Sequence, residues 1–160
     1  HNYLGVDIAF TPEQLSVLNE RLKSSPINLF TQLDQAAQHL GETQVDIVLL
    51  LDVIEHIEDD IAFLQWMQTF EQINSQTQFF ITVPAFQSLF CEHDVFLEHY
   101  RRYTNKSLKQ ALAKANLSTD HKGYFFSSLL LPRQLQVWKE KMKGKKIDNE
   151  KGVTSVQLQH

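Results

Sequence analysis

Three acidic residues stand just beyond short apolar stretches: Asp7 after Tyr3 to Val6, Asp34 after Ile27 to Thr31, and Asp52 after Val45 to Leu51. A carboxylate fixed at a strand end can accept hydrogen bonds from both vicinal hydroxyls of a ribose, or one from an adenine amino group. The same residue can also do no more than cap the turn or helix that follows it. Three at one sheet edge favour nucleoside chemistry. Glu92, His93 and Asp94 carry metal-ligand atoms, but they are close together in sequence and lack a distant third partner, so no metal is expected. The single Cys91 cannot form an internal disulfide, and no C-x-x-C pair is present to hold zinc.

These residues depend on the elements that position them. Thr11-Pro12-Glu13-Gln14 combines a capping threonine, a proline suited to the first helical position and a capping-box glutamine, so a helix follows the strand Tyr3 to Val6. Leu15, Leu18 and Leu22 fall on one face of it, and Ser24-Ser25-Pro26 ends it. Ile27 to Thr31 is a second strand. Val45 to Leu51 is nearly continuous aliphatic, the pattern of a strand covered on both faces. Glu58, Asp59 and Asp60 suit the positive end of a helix whose buried face is Ile61, Leu64, Met67 and Phe70. Gln78 to Val83 is the next strand, stopped by Pro84.

Ala85 to Tyr103 is a long aromatic-rich irregular segment, a candidate lid or binding loop. Thr104 opens a helix with Leu108, Leu112 and Ala115 inward. Gly123 to Leu131 is expected as a buried strand or strand-plus-loop ended by Pro132, with Gln134 to Met142 helical, and Phe79, Phe80, Phe125 and Phe126 are assigned to the core. The order is α/β, and short crossovers make a doubly wound, mostly parallel sheet the economical topology.

At 160 residues, 42% hydrophobic and 21% charged, the chain is expected to form one domain over residues 1–160. A net charge of −4 argues against binding nucleic-acid backbones. No apolar run approaches the roughly 20 residues a bilayer span needs, so no integral membrane segment is expected. The lone cysteine fits a reducing, cytoplasmic compartment. The strand at Tyr3 is already under way at the first residues, the pattern of an interior piece of a longer protein.

The segments LGVDIAF (4–10), VDIVLLLDVIEHIEDD (45–60), FFITVPAF (79–86), HDVFLEHYRRYT (93–104) and GYFFSSLLLP (123–132) together resemble the class I S-adenosylmethionine-dependent methyltransferases. Within that family they are similar to the small-molecule branch of the ubiquinone-biosynthesis type. The resemblance covers most of residues 3 to 132. It implies a Rossmann-like doubly wound sheet with helices on both faces and S-adenosyl-L-methionine as cofactor. Asp7 would then meet the ribose hydroxyls, Leu33 and Asp34 the adenine, and Asp52 and Val53 the methionine side. Glu55 and His56 follow at the mouth of the active site, while His99, Arg101, Arg102 and Tyr103 resemble the segment covering the acceptor pocket. The family's first strand and glycine-rich loop, which should precede Tyr3, have no counterpart in the sequence.

Methyl transfer from a sulfonium is an in-line displacement with a neutral leaving group, so alignment and exclusion of water are the main requirements. An acceptor hydroxyl gains from a base, and His56 and His99 are the candidates. Glu55, Arg101, Arg102 and Tyr103 are the acceptor-binding candidates, since paired arginines can hold an anionic group in a forked way. Each has a structural alternative: His56 ordering the strand-to-helix turn, Glu55 starting the helix, and the arginines pairing with surface acids. The expected function is methyl transfer to a small-molecule or lipid-like acceptor. A non-catalytic Rossmann-like module and a nicotinamide-dependent oxidoreductase stand as alternatives.

Overall fold

The computed structural model describes residues 2–125 and 130–142. The chain is mixed α/β and divides into two compact units, one made of His1–Asp46 with Gln68–Thr77, the other of Ile47–Met67 with the residues from Gln78 onward.

In the first unit, strand β1 (Tyr3–Val6) pairs in parallel with β2 (Ile27–Phe30), Tyr3 opposite Ile27 and Val6 opposite Phe30. The crossover between them is helix α1 (Pro12–Leu22). Its start matches the expected signals: Thr11 accepts from the Gln14 amide, the Gln14 side chain accepts from the Thr11 amide at 2.9 Å, and Pro12 sits where no amide donor is required. Leu15, Leu18 and Leu22 form its half-buried face. Asn19, on the same helix, clamps β2 through its amide, accepting from Leu29 N at 3.0 Å and donating to Leu29 O at 3.1 Å.

Helix α2 (Leu33–Leu40) follows β2 directly and was not expected from the sequence. Its residues LDQAAQHL are mostly good helix formers, and Gly41, at φ 56°, ends it in a conformation that costs glycine little. Asp34 therefore lies in the first turn of a helix and not free at a strand end. Residues 68–77 close the unit: Gln72 is buried, donating to Gly41 O at 2.6 Å, while Thr77 donates to Val45 O at 2.8 Å.

The second unit is built on β3 (Ile47–Leu51), parallel to β4 (Gln78–Thr82) with Ile47 opposite Gln78 and Leu51 opposite Thr82. Between them lie a 3-10 turn at Ile54–His56 and helix α3 (Asp60–Met67), whose amide end is capped by Asp59 Oδ1 accepting from Ala62 N at 2.8 Å. A second 3-10 turn at Gln87–Leu89 and helices α4 (Glu92–Phe96), α5 (Asn105–Lys114) and α6 (Leu130–Met142) complete the described elements. The core is Leu50, Ile54, Leu64, Tyr103, Leu112 and Ala115, with Val48, Phe79, Ile81 and Leu108 packed on it.

The structure departs from the sequence expectations at β3, at two of the aromatic residues and at the start of α6. The described strands form two parallel pairs, β1 with β2 and β3 with β4, as an α/β class requires. Covering of β3 on both faces does not hold, because burial alternates: Leu50 is in the core while Ile47, Leu49 and Leu51 are each more than half exposed. An unbroken aliphatic run gives no sign of this, since both faces read alike. Phe79 is core as expected, but Phe80 and Phe125 are exposed and Phe126 lies outside the described residues. Leu130 and Leu131 begin α6 instead of ending a strand, and Pro132 falls in that helix's first turn, where its missing donor costs nothing. Leu131 is exposed.

Candidate functional site

Beyond β3 the chain turns sharply at Asp52, whose φ of 52° is in the left-handed region that aspartate tolerates better than most side chains. Thr82, at the end of the neighbouring strand, fixes the turn. The Asp52 amide reaches both Thr82 O and Thr82 Oγ1 at 3.1 Å, and Thr82 Oγ1 returns a bond to Asp52 Oδ1 at 3.3 Å. Val53 is half-buried and leads into the 3-10 turn.

That turn carries Glu55 and His56. Ile54 anchors it in the core, which draws the adjacent Glu55 fully out of solvent. Neither Glu55 carboxylate oxygen accepts a well-formed hydrogen bond. Burial pushes its carboxyl up to about 7, opposed by its own backbone amide, with the nearby Asp52 charge adding to the rise and Arg102 reducing it. The His56 imidazole is held below its ordinary range by desolvation and by His99 beside it. The two rings meet edge to face at a centroid distance of 4.6 Å. Ligand atoms of Glu55, His56 and His99 all lie within 4.8 Å of one another.

His99 reaches this point from the expected lid segment, which is a packed structure: Leu89, Phe90, Cys91 and Asp94 within it are buried. Its backbone docks on the turn through Tyr100 N donating to Glu55 O at 2.8 Å. Asp94 is the hub. Fully buried, it accepts from Cys91 N at 2.9 Å, His99 Nδ1 at 2.9 Å, Arg102 Nε at 2.8 Å and Arg133 on α6 at 2.7 Å. Burial alone would raise its carboxyl, but the Cys91 amide, His99 and Arg102 outweigh that and hold it below the usual carboxylate range.

The arginine pair and Tyr103 are engaged in the same framework. Arg101 pairs with Asp60 at 2.9 Å and donates to Glu58 O, while Arg102, besides Asp94, donates to Ala85 O at 2.9 Å. The Tyr103 hydroxyl donates to Asp60 Oδ2 at 2.5 Å from within the core, and its pKa is raised by burial and by that carboxylate. The second unit thus brings together Asp52, Val53, Glu55, His56, His99 and, behind them, Arg101, Arg102 and Tyr103.

In the first unit, Asp7 follows β1 exposed, with Oδ1 accepting from Ala9 N at 2.9 Å and its own amide donating to Phe30 O at 3.1 Å. Oδ1 thus caps the turn that follows β1. Asp34 is exposed and Leu33 half-buried in the first turn of α2. Sequence reasoning missed Asp94 and Arg133 as the groups that orient His99. A buried acid in HDVF looks like any surface acid in sequence, and only the arginines that follow hint at a partner.

No protein-family model matches the chain. A search of curated proteins gives no match either. No helix among the described residues is long and apolar enough to cross a membrane.

Proposed function

We propose that the chain serves S-adenosylmethionine-dependent methyl transfer to a small-molecule or lipid-like acceptor, on a Rossmann-like doubly wound scaffold. The observation that carries this is the turn after β3. At the carboxyl end of a parallel pair, where α/β sheets bind their ligands, Asp52 leads into Glu55 and two imidazoles in contact. The resemblance of residues 45–60 to the methyltransferase family gives that turn its meaning. Asp52 and Val53 are read as the cofactor's methionine-side residues.

His99 Nδ1 must donate to the ionised Asp94, so in the neutral ring Nε2 is the nitrogen that can take a proton from an acceptor hydroxyl. His56, whose imidazole desolvation and His99 hold below its ordinary range, is the second candidate base. Arg101 and Arg102 are committed to Asp60 and Asp94, so they shape the acceptor pocket mainly by fixing His99 and the 3-10 turn. Those same commitments favour a second reading, a non-catalytic Rossmann-like module in which the network is purely structural.

Calorimetric titration with S-adenosylhomocysteine, beside fluorescence titration with reduced nicotinamide cofactor, separates the readings. Saturable binding of the first alone supports methyl transfer. Binding of the second alone points to the oxidoreductase, and binding of neither to the non-catalytic module.

A further inference from the structure

We infer that Glu55, His56 and His99 form a binding site for a divalent transition-metal ion of the zinc class. The first observation is geometric: one ligand atom from each residue falls within 4.8 Å of the other two, close enough for a single ion to touch all three. The second is independent of it. The Glu55 carboxylate is fully buried and both its oxygens lack a well-formed hydrogen bond, so a group that ought to be paired has no protein partner. A cation at the cluster supplies that partner.

The third observation concerns orientation. His99 Nδ1 donates to the buried Asp94 carboxylate at 2.9 Å, and Asp94 is itself held by Arg102 and Arg133. A carboxylate behind an imidazole fixes the ring and its tautomer and makes the opposite nitrogen a better ligand, the usual support of a metal-bound histidine. The outer Nε2 is thereby the coordinating atom.

Two imidazoles and one carboxylate suit zinc, cobalt or iron(II) better than calcium or magnesium, which prefer all-oxygen sets. Three protein ligands leave the ion open to water or an oxygen-bearing ligand. With the ion bound, both imidazoles act as ligands, and polarisation of an acceptor oxygen replaces their role as bases. Asp52, near enough to influence Glu55 electrostatically, adds negative charge that favours a cation.

The inference does not rest on methyl transfer, because the ion's binding is read without cofactor or acceptor. Chelator-stripped protein is titrated calorimetrically with Zn2+, and with Co2+ while its visible absorption is recorded. One equivalent should bind, with a Co2+ spectrum showing nitrogen and oxygen ligation, and Zn2+ should raise the melting temperature. Glu55→Gln, His99→Ala and His56→Ala should each weaken binding by about tenfold or more. His56 is exposed, so His56→Ala tests the site without disturbing the core, and its circular dichroism should match the parent. Absence of Zn2+ binding to the parent protein overturns the inference. So does binding that His56→Ala leaves as tight as in the parent.

Discussion

The Asp94 carboxylate lies 2.9 Å from His99 Nδ1, and because an ionised carboxylate can only accept, that nitrogen carries the proton. The pairing fixes which face of the imidazole looks into the cluster with Glu55 and His56. It also ties the functional ring to Arg102 and Arg133, so site geometry and fold stability share one buried charge.

Asp94→Asn should therefore be strongly destabilising. It removes the counter-charge of two arginines and replaces one of two accepting oxygens by a donor, a loss of about 3–5 kcal/mol for a broken buried pair. Urea denaturation of the two proteins measures it. The parent should also lose stability in acid: a carboxyl held below its ordinary value contributes above its unfolded pKa and loses that contribution as pH falls through the lower folded value. Asp94→Asn should lack this part of the acid transition.

Glu55 has the opposite sign. Its carboxyl is raised to about 7 in the fold, by burial first, while His56, His99, Asp52 and Arg102 are the titratable or charged groups around it. In metal-free protein its contribution is most favourable below its unfolded pKa and declines as pH rises from about 4.5 to about 7, by roughly 3 kcal/mol. Glu55→Gln should flatten that slope in a denaturation series over the same range. A slope retained in the variant would show that Glu55 does not titrate in this way.

Tyr103→Phe keeps the ring in the core but removes the donor to Asp60 Oδ2 at 2.5 Å. Loss of a hydrogen bond to a buried charged group should cost about 1.5–3 kcal/mol. Leu64→Ala, at a fully buried position of the same core, should cost about 2–5 kcal/mol. Thermal or chemical denaturation checks both. Arg101 still pairs with Asp60 in the first variant, which is why it should lie at the lower end of its range.

What was legible in the sequence follows from how local each signal is. The capping box Thr11 to Gln14 and the bounds of β1 rest on neighbouring residues and appear where expected, while β4 ends at Thr82, one residue earlier than the expected stop before Pro84. Helix α2 was missed because Leu33 to Leu40 is short and its inward stripe, Leu33, Ala36, Ala37 and Leu40, is half alanine and so gives a weak apolar signal. The start of α6 was misread because Leu130 and Leu131 look like a strand end before proline. In the site, Asp52, Glu55, His56 and His99 could be picked out by type. That Glu55 is buried without a partner, and that Asp94 rather than a surface acid receives the arginines, depends on contacts between distant segments that no local pattern encodes.

The cofactor reading is tested most directly at Asp7. Calorimetric titration with S-adenosylhomocysteine should show binding to the parent protein and, for Asp7→Ala, an affinity lower by about 1.5–3 kcal/mol, the range for hydrogen bonds to a charged group. Affinity unchanged by the substitution, or no binding to the parent protein, would contradict it.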